Sequence, residues 1–377
     1  MSFQVEASNL SKGYYPGIST LDSASSKRIT YFDTTKGLLM LLLIWGHMII
    51  FARSLNIQNG FTPFIQNTVP FYRAFFMQTF FVITGYCTSW NTPFSEFFKK
   101  NFKTIVFPAF AFIPFMWMSR IIVNGWAGLS GLINIISQYI LDGIPWFLSA
   151  LFISKILYWG IIRVFSHSPF RKTFHTITLS GIFLIGLTSS YYGLPNIWYY
   201  QQSFVMLPFL FIGDYVCKIN KRGVNTKFIS VRRGELMNPK NLWLLSIPYF
   251  ILIILWQMLG LKLGFPAVDA FIDINYKTAV FYIGFAISGT ALILALSQYL
   301  QSIKWINIIG RQSLFVYLIH SFIVLGLMRL FTLDNNEFNF IQGAVFYLSI
   351  YLLSLLLIYA GCKIWESKYL KFMLGRF

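Results

Sequence analysis

An acid, a cation and an imidazole stand in one apolar stretch, Asp33-Thr-Thr-Lys36-Gly-Leu-Leu-Met-Leu-Leu-Leu-Ile-Trp-Gly-His47. At about 100° per residue, a helix leaves Lys36 and His47 about 20° apart and Asp33 about 40° from His47, so all three share one face. A neutral imidazole titrates near cellular pH and can take a proton from an alcohol that attacks a thioester, which makes His47 the best general base in the chain. The rise from Lys36 to His47 is about 16 Å along a helix axis. An extended, phosphate-bearing cofactor with a flexible arm could bridge that gap. Its phosphates would meet Lys36 together with Lys99, Lys100 and Lys103, and its reactive end would reach His47. Ionisable groups at membrane depth are costly unless they face a protein interior or a watery cavity, so such a stripe points to a site. The plain alternative is a packing histidine bonded to a neighbouring helix. The shared register with Lys36 and Asp33 weighs against it.

The elements that must hold these residues are helices in a bilayer. Of 377 residues, 56% are hydrophobic and only 11% charged, and apolar runs of bilayer length recur from end to end. They fall at about 36–55, 71–90, 104–123, 145–163, 176–193, 203–217, 241–260, 278–299, 312–331 and 339–362. The expected fold is all-α, a polytopic integral membrane protein of about ten transmembrane helices with both termini cytoplasmic. No alternating ten-residue strand pattern supports a barrel. A net charge of +18 would suggest nucleic acid in a soluble chain, but the distribution decides otherwise. With the N-terminus inside, 23 of the 30 Lys and Arg lie in tails and inner loops, six outside (Arg53, Arg73, Arg120, Lys262, Lys277, Arg329) and Lys155 within a span. That is a positive-inside bias, so the expected partners are membrane lipids rather than nucleic acid.

Residues 1–30 are polar and Ser-rich, without an apolar core before Lys27-Arg28, and read as a disordered cytoplasmic tail with no cleavable signal peptide. Residues 31–377 read as a single membrane-embedded domain. Cys87, Cys217 and Cys362 and the four histidines show no ligand-like spacing, so no metal is expected and the thiols read as free and buried. Gly128 to Asp142 looks like an amphipathic helix on the outer surface. The loop 191–202, Tyr-Tyr-Gly-Leu-Pro-Asn-Ile-Trp-Tyr-Tyr-Gln-Gln, suits the interfacial aromatic belt, or a platform on which sugar rings stack. The basic loop of about 218–240 suits lipid headgroups. Lys155 either snorkels to the cytosol or faces a cavity, and His320 reads as a hydrogen-bonded packing residue.

Taken together, these residues resemble the acyltransferase type 3 membrane proteins, and within them the set similar to fucose 4-O-acetylases and other polysaccharide O-acetyltransferases. That family opens its first span with an Asp, an Arg or Lys three residues on, and a His eleven further, as do Asp33, Lys36 and His47. Phe80-Phe81-Val-Ile-Thr-Gly85-Tyr86 is similar to its second span, Phe98-Lys-Lys-Asn-Phe-Lys103 followed by Pro108 to the basic loop and proline that begin its third, Pro145-Trp146-Phe147-Leu148 to its fourth, and Gly310-Arg-Gln-Ser313-Leu314 through Tyr317-Leu-Ile-His320 to its ninth. Phe76, Met77 and Gln78 stand where that subset often has His and Pro. The resemblance implies a multi-pass O-acetyltransferase of the cell membrane, the cytoplasmic membrane of a bacterium, that moves acetyl from cytosolic acetyl-CoA to a hydroxyl of a cell-surface or lipid-linked glycan. His47 would be the base and Asp33 would orient Lys36, while Lys36 with Lys99, Lys100 and Lys103 would hold the donor. Arg73 and Trp146 would lie on the acceptor side, Arg73 otherwise being an interfacial anchor. A transporter or flippase could use the same polar face as a path, and an inactive sensor could keep the fold alone.

Overall fold

In the computed structural model, the described residues are 29–365 apart from 74, 126–127, 167–169, 223, 226–229, 232–237, 264–278 and 333–336. The helices are α1 (Thr30–Ser54), α2 (Thr62–Arg73), α3 (Phe76–Cys87), α4 (Phe94–Asn101), α5 (Phe107–Ala111), α6 (Ile113–Asn124), α7 (Gly128–Leu141), α8 (Trp146–Val164), α9 (Arg171–Tyr191), α10 (Tyr200–Arg222), α11 (Pro239–Leu263), α12 (Ala279–Leu300), α13 (Lys304–Arg311), α14 (Ser313–Phe331) and α15 (Phe340–Trp365). Extended structure among the described residues amounts to two pairings of two-residue strands, Gln58–Asn59 with Glu337–Phe338 and Val224–Asn225 with Ser230–Val231. The expected tail and most of the basic loop of about 218–240 lie outside the described residues.

The chain is an all-α polytopic membrane protein. Among the described residues, seven helical stretches are long and apolar enough to cross a bilayer: Thr30–Ser54, Phe94–Asn124, Gly128–Val164, Ile197–Lys221, Tyr282–Leu300, Ser313–Phe331 and Phe340–Trp365. Burial sorts the helices into two classes. No residue is exposed from Tyr31 to Ile49 of α1, from Phe76 to Tyr86 of α3, from Trp146 to Ile162 of α8, from Tyr200 to Asp214 of α10, or from Ser313 to Met328 of α14. Around them α7, α9, α11 and α15 turn large apolar side chains outward, among them Ile133, Ile177, Leu184, Ile251, Leu348 and Leu352. Exposed aliphatic chains of that size suit lipid, and the five enclosed helices are free to carry polar groups inward.

Three regions depart from the sequence expectation. The run at 71–90 is not one helix, because α2 ends at Arg73 and α3 starts at Phe76. The break is tolerated because its backbone groups find partners. The Phe71 carbonyl accepts the Tyr249 hydroxyl, the Tyr72 carbonyl accepts the Phe75 amide at 3.2 Å, and the Phe75 carbonyl takes the Thr79 hydroxyl at 2.7 Å. Second, Phe98–Lys103 is helical rather than a loop. Phe94, Phe97 and Phe98 recur at helical spacing, and Phe97 is buried beneath the exposed lysines. Third, the run at 104–123 is widened to a stretch starting at Phe94 and interrupted by a π-helical segment, Phe102–Val106, just before Pro108. Proline has no amide to continue the ladder, and a wider turn relieves the clash of its ring with the preceding turn.

Glycines let the enclosed helices touch backbone to backbone. A Cβ at Gly85 of α3 would strike the Leu210 carbonyl, and one at Gly213 of α10 would strike the Val82 carbonyl. The same device joins α1 to α13, where a Cβ at Gly37 would meet the Ile306 carbonyl and one at Gly310 the Asp33 carbonyl. Beside this contact the Thr34 hydroxyl donates to Asn307 Oδ1 at 2.6 Å.

Candidate active site

His47 lies on α1 with its Nδ1 2.9 Å from the Leu43 carbonyl, one turn back. A carbonyl can only accept, so in the neutral ring Nδ1 carries the proton and Nε2 keeps the lone pair. The ring is part-exposed although no residue from Tyr31 to Ile49 is exposed. Phe51 stands 5.6 Å away on one side.

On the other side is His320 of α14, its ring centroid 4.9 Å from that of His47 in an edge-to-face arrangement. His320 is 4% exposed. Its Nδ1 lies 2.7 Å from the Tyr317 carbonyl, so it holds the same tautomer as His47, with Ser321 Oγ 3.5 Å from Nε2. No spacing in the sequence joins these two residues from opposite ends of the chain. The only trace was the Tyr-Leu-Ile-His segment, read as packing. Contact with His47 moves His320 into the site.

Arg73, at the C-terminal end of α2, is close enough to His47 to act on it electrostatically. Trp146 opens α8 and packs against Phe147 at 5.8 Å. Phe147 in turn meets Tyr317 at 5.3 Å, and Tyr317 meets His320 at 6.0 Å. Trp146 thus connects to the histidines through intervening rings. The Tyr317 hydroxyl also bonds the Phe147 backbone and lies within electrostatic reach of Tyr139 and Tyr199. That links the aromatic loop to the histidine end of the bundle. Trp198 in that loop is held by its amide to the Asp142 carbonyl at 2.8 Å and by Nε1 to the Ile140 carbonyl at 3.1 Å. It adopts φ of 53°, a left-handed conformation that a bulky residue takes only when its surroundings impose it.

Asp33 and Lys36 form an ion pair of 3.0 Å at the other end of α1. Asp33 is 4% exposed. It sits fourteen residues before His47, a rise of about 21 Å, so it acts on the lysine and not on the imidazole. Cys87 is exposed, not buried as expected, because it ends α3; it lies within electrostatic reach of Lys36, Asp33 and Lys221, and Lys155 of α8 within reach of Lys100 and Cys87. The Lys155 ammonium is 5.8 Å from the centre of the Phe97 ring. Lys155 is half-buried on a stretch of α8 that exposes no residue from Trp146 to Ile162. Lys36, Lys100, Lys155 and Lys221 act electrostatically at the C-terminal end of α3, and Lys99, Lys100, Lys103 and Lys221 are exposed.

The arrangement has two ends joined by α1: a cationic end suited to phosphates, and an imidazole end suited to proton transfer. Among the described residues no group of three or more His, Cys, Asp or Glu is placed to hold a metal ion. Comparison with known families finds the model of an acyltransferase domain, acyltransferase type 3, matching residues 29–362. No curated protein and no solved structure matches the chain.

Proposed function

The chain belongs to the acyltransferase type 3 family, whose domain occupies residues 29–362, and from that premise we propose that it moves an acetyl group from cytosolic acetyl-CoA to a hydroxyl of a cell-surface or lipid-linked glycan. It is a multi-pass membrane acyltransferase. We take its membrane to be a bacterial cytoplasmic one, its helices to cross ten times with both termini inside, and its acceptor chemistry to be of the fucose 4-O-acetylase type.

The observation that carries this reading is the imidazole of His47. Its Nδ1 is bonded to Leu43, its ring is part-exposed on a stretch of α1 that exposes no residue, and it stands a helix rise of about 16 Å from Lys36. On this reading the cationic end binds the donor's phosphates, the pantetheine arm follows α1, and the thioester comes to rest at Nε2. A sugar hydroxyl enters from the aromatic loop. Its oxygen attacks the thioester carbon, the C–O bond forms, and the hydroxyl proton passes to His47 Nε2. The tetrahedral intermediate then collapses, the C–S bond breaks, and the thiolate leaves with the proton from His47. Asp33 is a positioning residue that holds Lys36. His320 packs edge-to-face against the His47 ring and fixes it.

A transporter would use the same stripe as a path, but family membership favours chemistry. The test is transfer of radiolabel from acetyl-CoA to a lipid-linked glycan by purified protein in detergent. Label that stays on the donor with every hydroxyl acceptor offered would remove the acceptor assignment. Lys36→Ala is expected to weaken donor binding by about tenfold, the loss of one charge-assisted phosphate contact worth about 1.5 kcal/mol, read as a smaller thermal shift on adding acetyl-CoA. An unchanged shift would take Lys36 out of the donor site.

A further inference from the structure

Tyr72 stands in the last turn of α2, beside the break before α3. It is 8% exposed, and among the described residues its buried hydroxyl has no hydrogen-bond partner. A buried hydroxyl left without a partner costs of the order of 1–3 kcal/mol, so its persistence calls for a use.

Its position shows what the use is. A Cβ added to Gly46 would lie 2.6 Å from the Tyr72 hydroxyl. The hydroxyl therefore occupies the place where residue 46 would carry its side chain, and residue 46 directly precedes His47. Two further observations fix it there. Trp45 Nε1 donates to Thr68 Oγ1 at 2.9 Å, which pins α2 to α1 one turn before Tyr72. Arg73 lies within electrostatic reach of Tyr72 and of His47 alike. The hydroxyl and the imidazole thus lie at consecutive residues of α1, with Arg73 within electrostatic reach of both.

We propose that Tyr72 is a catalytic residue whose hydroxyl donates a hydrogen bond to the thioester carbonyl oxygen as it becomes an oxyanion, with Gly46 conserving the space that the hydroxyl needs. This rests on the acyl-transfer reading above. When the acceptor oxygen attacks, the carbonyl π pair moves onto oxygen, and the Tyr72 O–H, already desolvated and unpaired, turns to it. No proton leaves Tyr72. When the intermediate collapses, the pair returns, the C=O bond re-forms and the thiolate departs. Arg73 adds positive potential at the same oxygen. A donor that stands ready and unpaired before the reaction requires little reorganisation during it, which is why such groups act mainly on the transition state.

The test is Tyr72→Phe, which removes one oxygen and keeps the ring, alongside Gly46→Ala, which keeps the oxygen and takes its place. Without ligand, Tyr72→Phe is expected to melt within about 3 °C of the wild type or above it, because no bond within the fold is lost. A larger fall assigns the hydroxyl a structural bond and overturns the proposal. With acetyl-CoA and acceptor, kcat is expected to fall roughly 100-fold in Tyr72→Phe with KM for acetyl-CoA within about twofold, and Gly46→Ala is expected to lose kcat in the same sense. Retention of half the wild-type kcat by Tyr72→Phe overturns the proposal. Donor hydrolysis to water reads the same hydroxyl without any glycan, so the role of Tyr72 is judged separately from the acceptor. A wild type that neither binds nor cleaves acetyl-CoA overturns the acyl-transfer reading and this proposal with it. A wild type that cleaves it while Tyr72→Phe cleaves it equally well overturns the role of Tyr72 alone.

Discussion

His47→Ala is expected to lower kcat for acyl transfer by roughly 1,000-fold, the middle of the range for a positioned general base, while acetyl-CoA still shifts the melting temperature as in the wild type. The two readouts separate because the base and the cationic end lie about 16 Å apart on α1. His47 is part-exposed and donates a single hydrogen bond, to a helix carbonyl one turn away. Its loss therefore leaves no buried acceptor stranded, since Leu43 sits within an intact helix. His47→Gln is the companion variant. It keeps a polar side chain of similar length but has no basic nitrogen, so it should be as inactive as alanine. Transfer that survives either change at more than a tenth of the wild-type rate would show that His47 is not the base, and His320, with its own Nε2 turned away from the Tyr317 carbonyl, would be the next residue to replace.

The second large effect is on the fold. Gly310→Ala places a methyl group against the Asp33 carbonyl and the Gly37 amide, and neither is a side-chain tip that can swing aside. α13 must move off α1, and overpacking of this kind costs about 3 kcal/mol. A shift of at least 5 °C in melting temperature is expected. Separation also strains the 2.6 Å bond from Thr34 to Asn307 and displaces the turn that carries the Asp33–Lys36 pair. Donor binding should therefore weaken along with stability. A Gly310→Ala protein that melts and binds donor like the wild type would show that the α1 to α13 contact is looser than described. Gly160→Ala is the control, because nothing lies within 4 Å of a Cβ built there.

Most of the helices could be read from the sequence because each depends on a local quantity, the length of an apolar run. The runs at 312–331 and 339–362 reappear almost unchanged as α14 and α15. The polar stripe of α1 was legible for the same reason, since Asp33, Lys36 and His47 are related by the period of a single helix. What escaped the sequence depends on contacts between distant segments. His320 reached the site by the packing of α14 on α1, which no spacing encodes. The break between α2 and α3 carries no proline or glycine at residues 74 and 75, and it survives because Tyr249, far along the chain, caps the Phe71 carbonyl. Phe98–Lys103 looked like a loop because its lysines were counted as charge, whereas the phenylalanines between them mark a helix with a buried edge.

The enclosure of α1 and α14 has a consequence for how the protein meets its host. Large aliphatic side chains are exposed on α7, α9, α11 and α15, whereas the stretches of α1 and α14 that carry the two histidines expose no residue, so the polarity felt by the histidines is set mainly by protein groups of fixed position. A thicker or thinner bilayer would tilt α9, α11 and α15 first. His47 and His320 stand in mutual contact on stretches that expose no residue, so that deformation reaches them last and the same catalyst can serve membranes of differing composition without retuning.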